Sequence, residues 1–341
     1  FADIDLNDTF FNSLKEDYPG FDAWFEKKSK DNSEAYVQYT NDNLQAFLYL
    51  KNESGEALTD ITPIRPACNR LKVGTFKIDA HNTKLGERFV KKILDTALDM
   101  KAEEIYVTIY PKHEGLIRIL QRYGFNEGGK KGEELVLVKN MKILTGDILK
   151  DFPLLTTKDK RKFLLSIYPK YHTKMFPDSI LRNEESKKYE LVKDVSYTNS
   201  IHKVYLCFMS DTAKLQRGDI IAIYRTKDDK GSARYRSVIT SICQIEEVKT
   251  NKDFATVEDF LAYTNFYSIF DSEELKQWYQ QKNCYILKMT YNIALTKRVT
   301  NGYLVDNLNM SPKYWGFFQL TDEQFDAILK KGEVDEGVII D

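Results

Sequence analysis

Apolar residues recur four apart along residues 84–100, at Leu85, Phe89, Ile93 and Ala97, with Val90, Leu94 and Leu98 widening the stripe. That period predicts an amphipathic helix with one face in a core. Before it, Asp8 or Thr9 can cap a helical stretch holding Phe10, Phe11 and Leu14, which Tyr18-Pro19-Gly20 ends; residues 21–28 read as a second short helix. Strands are predicted at 35–40 and 44–51, joined by the hairpin turn Asn41-Asp42-Asn43, and then at 70–79 and 104–109. A helix over 114–123 stops at Gly124, well placed for a left-handed cap, and a strand at 134–139 closes this part. The order implies an α/β fold around a mixed sheet.

Residues 143–160 read as a linker, with Gly146-Asp147, Pro153 and the charged run Lys158-Asp159-Lys160. Beyond them strands are predicted at 163–168, 203–208, 219–224, 235–248 and 284–291, with short helices near 257–263, 272–280 and 322–331. Many short strands and few helices predict a small β-rich barrel. The organisation is therefore 1–142, a linker at 143–160, and 161–341, a division that 341 residues make comfortable.

No apolar run approaches the roughly 20 residues of a membrane helix. Phe1 in place of a methionine predicts that a few residues precede it. Cys68, Cys207, Cys243 and Cys284 lie far apart without a CxxC, and His81, His113, His172 and His202 form no HxH or HxxxH pair. A zinc site, another metal site or a disulfide framework is not indicated, and a reducing cytoplasm is the simplest compartment. Charge is uneven: residues 156–250 carry 19 basic and 12 acidic side chains, although the whole chain nets −1. A basic middle block suits a phosphate-bearing partner, or it is a solvated lysine-rich surface.

The loop from His81 to Arg88 joins an apolar strand to the strongest helix. A helix start offers unpaired amides and partial positive charge, a natural seat for phosphates. Gly86 would let a diphosphate approach its backbone, and Lys84, Arg88 and Lys91 could meet further phosphates. Further on, His113-Glu-Gly-Leu-Ile-Arg-Ile-Leu-Gln-Arg-Tyr-Gly-Phe125 matches Asn-Glu-x-Ala-x-x-x-Tyr-x-x-x-Gly-Phe without a gap. Together these segments resemble the core of the GNAT acetyltransferases, and the resemblance covers most of residues 1–140 in element order. It implies acetyl-CoA as co-substrate and N-acetyl transfer. The cofactor contacts it points to are Phe76, Lys77 and Ile78 on the strand, Lys84, Leu85, Gly86, Glu87 and Arg88 at the helix start, and His113.

The sequence departs from the family. His81 and Lys84 replace the usual Arg/Gln and first glycine, and His113 stands where Asn is common. Leu120 stands where a proton-donating Tyr is common, so another group must serve as the acid. An amide near residues 108–110 is the expected oxyanion donor. His113 and Glu114 are candidate bases, and Tyr110 and Tyr123 candidate acids. Each has a plainer reading: packing for Tyr110 and Tyr123, a favourable charge at the helix start for Glu114, and a helix cap or a contact with CoA for His113.

In the second part, FLLSIYPKYHTKMFPDSILR (163–182) and GDIIAIYRTKDDKGSARYRSVITSICQIEEV (218–248) resemble the ASCH group of PUA-like barrels. Such domains bind RNA or modified bases, and some resemble hydrolases of an acetylated cytidine. The Gly-x-Lys-x-x-x-x-Arg motif of the latter falls on Pro177-Asp178-Ser179-Ile180-Leu181-Arg182, where the lysine is missing, so a hydrolytic site is not expected. Candidate nucleic-acid contacts are Lys170, Tyr171, His172, Lys174, Arg225, Arg234 and Arg236, interleaved with Tyr168, Tyr224 and Tyr235. They are equally a set of half-buried strand tyrosines and solvated arginines. Three functions stay open: an acetyltransferase whose barrel recruits RNA, aminoacyl-RNA or a ribonucleoprotein; a protein or small-molecule acetyltransferase with a structural barrel; and a non-catalytic CoA- or RNA-binding protein.

Overall fold

The computed structural model describes residues 1–79, 84–179 and 200–341. They form two compact units, Phe1–Met141 and Lys142–Asp341. The first opens with helices α1 (Asn12–Asp17) and α2 (Phe21–Lys30) and the hairpin β1 (Tyr36–Thr40) and β2 (Asn43–Asn52). Then come β3 (Arg70–Ile78), α3 (Leu85–Asp99), β4 (Glu104–Ile109), α4 (Glu114–Arg122), β5 (Asn126–Lys131) and β6 (Glu134–Asn140). The sheet order is β1-β2-β3-β4-β6-β5. Among the described residues of this sheet, β3 and β4 alone pair in parallel, because α3 carries the chain back across the sheet between them.

The apolar stripe of α3 is buried as its spacing predicts, through Leu85, Phe89, Val90, Ile93, Leu94 and Ala97. Gly124 adopts φ +88°, the left-handed conformation expected of the residue that ends α4. A second cluster joins the first helices to β2, with Phe1, Phe11, Phe25 and Phe47 meeting edge-on or tilted. Strand β5 has no apolar pattern to announce it. It forms by pairing with β6, and it needs bare backbone: a Cβ on Gly128 would lie 2.6 Å from Val138 Cγ2, and one on Gly129 2.4 Å from the Thr62 carbonyl.

The feature that shapes the site is a fork. β3 stays paired with β2 as far as Ile78, yet its ladder to β4 runs only from Arg70 to Val73. Past that point β3 continues for five residues, and Thr108 and Ile109 of β4 stay paired with β6 on their other edge.

The second unit is a six-stranded mixed sheet in the order β12-β7-β9-β10-β11-β8. Its strands are β7 (Lys162–Ile167), β8 (His202–Cys207), β9 (Ile220–Arg225), β10 (Val238–Thr250), β11 (Tyr285–Thr300) and β12 (Phe317–Leu320). β7 and β9 run parallel and the other pairs antiparallel. Leu165, Ile167, Val204, Leu206, Ile223 and Met289 belong to its core. β11 runs nine residues beyond the predicted end, because it follows the long β10 through three register shifts that its own polar run does not forecast. The predicted strand start at Tyr235 is instead a helical turn, Ala233–Arg236, with β10 beginning at Val238.

Residues 143–160, read as a linker, are packed into this second unit. Ile148, Phe152, Leu154 and Leu155 are buried there, and Asp147 caps the one-turn helix Ile148–Asp151 through the amides of Leu149 and Lys150. Glycine, proline and charge served here to turn the chain. Among the described residues no helix is long and apolar enough to cross a membrane, no metal-binding group of side chains occurs, and the four cysteines are unbridged.

Candidate functional site

Side chains alternate along β3 past the fork, and the structure separates the expected cofactor contacts accordingly. The Phe76 ring stacks on Phe89 of α3, centroids 6.1 Å apart. Lys77 points the other way and is engaged by the N-terminal segment: Nζ donates to Ser13 Oγ at 2.8 Å and to the Phe10 carbonyl, and lies 4.6 Å from the Phe10 ring centroid. Ile78 faces the start of α3, where its Cδ1 lies 3.7 Å from the position of a Cβ on Gly86.

Lys84 precedes α3 without a side-chain cap. The Arg88 amide donates to the Lys84 carbonyl at 3.2 Å, so the amides of Leu85, Gly86 and Glu87 lie ahead of the first intrahelical bond. A Cβ on Gly86 would stand 2.7 Å from Ile119 Cδ1, the movable end of a half-buried side chain, so α4 comes close to this glycine. Next to it Glu87 is buried and accepts from Arg122 Nη1 at 3.1 Å, a second tie between the helices. Lys91 pairs with Asp95 at 2.6 Å. His81 lies outside the described residues.

A polar group gathers where β4 ends. The Tyr110 ring lies against Tyr18, centroids 5.4 Å apart. The Tyr18 hydroxyl donates to Glu134 Oε1 at 2.9 Å. Burial, and then the Glu134 carboxylate, push Tyr18 well above the usual phenol range, which keeps it a proton donor. His113 Nε2 lies 3.1 Å from Asp17 Oδ2, and Lys112 Nζ pairs with the other oxygen of Asp17. Asp17 ends α1 and has only 7% of its side chain exposed. A carboxylate only accepts, so Nε2 is the protonated nitrogen of His113. In the neutral ring Nδ1 then carries the lone pair.

The structure thus brings His113 and Tyr110 together and leaves Tyr123 and Glu114 elsewhere. Tyr123 is fully buried beneath the end of α4, where its carbonyl accepts from Lys139 Nζ at 2.9 Å. Glu114 projects into solvent and pairs with Arg118 one turn on, at 3.1 Å. Leu120 is fully buried as packing. Sequence reasoning missed Asp17, Tyr18 and Glu134. The only sign of the first two was their place at the Pro19-Gly20 break, and Glu134 carried none.

In the second unit the candidate contacts scatter. Lys170 and Lys174 are exposed, with Lys170 Nζ 4.5 Å from the Tyr171 ring centroid. Tyr171 is half-buried against Phe270. His172 is buried and its Nε2 lies 2.7 Å from Thr240 Oγ1; burial, then the charges of Arg225 and Arg298, hold it well below the usual imidazole range. Arg225 is buried as well. Arg234 engages Asp306 and Arg236 engages Asp228, each through two nitrogens, so both forks hold carboxylates. Strand register gathers three exposed tyrosines at one end of the sheet. Tyr168 follows β7, Tyr235 precedes β10, and Tyr314 precedes the Gly316 carbonyl that accepts from the Ser166 amide. Trp315, half-buried there, stacks on Tyr224 at 5.5 Å. Of the Pro177–Arg182 stretch, Ile180, Leu181 and Arg182 lie outside the described residues.

No known family model matches the sequence, and no curated protein matches it. Solved structures that resemble parts of the chain are of two kinds. An ASCH protein from Zymomonas mobilis is 8% identical, covering 50% of this chain and 96% of its own, with a TM-score of 0.33. A GNAT-family acetyltransferase from Listeria monocytogenes is 16% identical, covering 38% of this chain and 83% of its own, with a TM-score of 0.29. The PaiA N-acetyltransferase from Thermoplasma acidophilum, in complex with coenzyme A, is 12% identical, covering 37% of this chain and 74% of its own, with a TM-score of 0.27.

Proposed function

We propose that the first unit transfers an acetyl group from acetyl-CoA to a primary amine. The fork carries this reading. β3 leaves β4 after Val73 and runs on to Ile78, shortly before α3 begins. Strand edges that part in this way offer backbone donors and acceptors to an extended arm such as pantetheine. The start of α3 suits the diphosphate, with Lys84 and Arg88 adding charge. Bound there, acetyl-CoA supplies an activated acyl group.

The remaining work falls to the chain. His113 Nδ1 takes the ammonium proton, so that the amine attacks as a neutral nucleophile. Asp17 holds the imidazole in that tautomer. A backbone amide on the β4 edge near residues 108–110 stabilises charge on the carbonyl oxygen as the C–N bond forms and the C–S bond breaks. Tyr110, three residues before His113, gives a proton to the thiolate while the nitrogen of the collapsing intermediate releases its second proton, which restores the phenol; Leu120 lacks the chemistry for this role. The Glu134 carboxylate, which accepts from the neutral Tyr18 hydroxyl, favours a cationic acceptor, whereas Asp17 is already paired with Lys112.

Acetyl-CoA at 100 times its dissociation constant should stabilise the protein by about 2.7 kcal/mol. Mass spectrometry of an amine panel should then show products heavier by one acetyl group. No thermal shift removes the enzyme reading. A shift without any product supports the non-catalytic one, which Leu120 motivates.

For the second unit we infer recognition of unpaired bases by Tyr168, Tyr235 and Tyr314, with Lys170 and Lys174 near phosphates. Retardation of single-stranded RNA should weaken as salt rises and fail in Tyr168→Ala and Tyr235→Ala. The carboxylates already held by Arg234 and Arg236 favour the other reading, a protein or small-molecule acceptor. Absent or salt-insensitive RNA binding would decide for it.

A further inference from the structure

Two cavities of the second unit meet at Arg217. The smaller, about 280 Å³, has an apolar wall of Leu144, Ile148, Leu154 and Leu155. The larger, about 610 Å³, is lined by Gln216, Glu246, Glu247, Val248 and Lys288 as well as Arg217. Their carboxylates are engaged. Glu246 is held by His202 Nδ1 and by Lys288 Nζ at 3.6 Å, and Glu247 accepts from the Tyr263 hydroxyl at 2.7 Å. Asp151, in the smaller cavity, accepts from the amides of Thr145 and Gly146 at 2.6 and 2.9 Å.

The cations at the junction are not so engaged. Lys160 lines the smaller cavity, with Nζ 3.7 Å from where a Cβ on Gly218 would lie, next to Arg217. Arg217 spends Nη1 on the Glu246 carbonyl at 3.2 Å. Asp147 feels its charge, but that carboxylate caps Leu149 and Lys150. Among the described residues neither Lys160 nor Arg217 has a carboxylate at ion-pair distance. Gln244, largely buried in the smaller cavity, gives Nε2 to the Gly218 carbonyl at 3.3 Å, which leaves Oε1 as an acceptor.

An apolar wall, one amide acceptor and two unpaired cations describe a ligand. We infer that this junction binds a small anion carrying a compact ring with an N–H donor. The ring enters the smaller cavity over Leu144 and the edge of Ile148, its N–H meets Gln244, and the anionic group lies between Lys160 and Arg217. A nucleoside monophosphate and a heteroaromatic carboxylate share this chemistry. The site is independent of the acetyl-transfer reading.

Calorimetric titration of the full chain with adenosine 5′-monophosphate and with indole-3-acetate tests it. Saturable binding of at least one probe is expected, weakened tenfold or more by Arg217→Glu and by Lys160→Glu. Both positions reach the surface, and an unchanged melting temperature verifies that the variants fold. The preferred probe tells phosphate from carboxylate. Failure of both probes to saturate overturns the inference. So does binding that survives both reversals, because such a ligand sits elsewhere, the first unit included.

Discussion

Asp17 and His113 stand 96 positions apart in the chain, yet the carboxylate Oδ2 and the imidazole Nε2 lie 3.1 Å from each other. The contact joins the last residue of α1 to the residue that opens α4. It selects a tautomer, which a helix cap alone would not do. If His113 is the base, His113→Ala should lower kcat by about 10²–10³, within the usual span for general-base removal. Asp17→Asn keeps the shape but can accept or donate, so the tautomer is no longer set. A fall in kcat of about tenfold, with KM for acetyl-CoA little changed and an altered pH profile, is expected. Steady-state kinetics across pH check both. Equal loss of folding in the two variants would make the contact structural.

Gly86 separates two roles that one glycine can have. Its missing Cβ makes room for Ile119, whose Cδ1 can swing aside, so Gly86→Ala should cost at most about 1 kcal/mol of stability by crowding α4. The double variant with Ile119→Val should recover most of it. If the glycine also admits a diphosphate, acetyl-CoA affinity stays low in the double variant while stability returns. Denaturant unfolding and cofactor titration on the same three proteins separate packing from binding.

What was legible in the sequence followed from periodicity and breakers. The spacing of Leu85, Phe89, Ile93 and Ala97 gave α3 within a residue at each end, and Glu104–Ile109 is the strand its pattern predicts. Strand β5, reading Asn-Glu-Gly-Gly-Lys-Lys, was invisible because only its backbone pairing and two close approaches define it. The site divided in the same way. His113 and Tyr110 are local to one motif, and their backbones meet where the His113 amide donates to the Tyr110 carbonyl at 3.1 Å. Asp17 and Glu134 act across folds of the chain, and no local spacing marks a carboxylate that will meet a histidine or a tyrosine from another element. The arginines misled for a related reason, since the carboxylates that occupy Arg234 and Arg236 arrive from Asp306 and Asp228.

Arg70 is a buried guanidinium on β3, and its partners show what it holds. Nε donates to Glu104 Oε1 at 2.8 Å, Nη1 to the Glu56 carbonyl at 3.0 Å and Nη2 to the Pro66 carbonyl at 2.8 Å. It pins the 53–69 loop to the sheet and neutralises Glu104, which burial alone would push up and which Arg65 and Arg70 bring below its ordinary value. Arg70→Ala should cost about 2–4 kcal/mol, because two carbonyls lose their donor and Glu104 keeps only Arg65. Replacing both Arg70 and Glu104 by apolar residues of similar size should cost less than the single change. Denaturant midpoints of the single and double variants decide it.

His172 gives the second unit a pH dependence with a definite sign. The ring is buried against Thr240, and the charges that face it are Arg225 from β9 and Arg298 from β11. Burial first, then those two cations, keep it neutral in the folded state. Unfolding lets it take a proton at its ordinary value, near 6.5. The unfolded chain therefore binds more protons below about pH 6.5, so this contribution is present in full above that pH and declines as pH falls. Melting temperatures of the native chain and of His172→Gln, measured from pH 8 to pH 5, should converge toward the acid end. The variant is less stable at pH 8 through the changed contact with Thr240, and its curve is flatter below pH 6.5. Parallel curves would mean that the imidazole titrates alike in both states, contrary to its setting between two arginines.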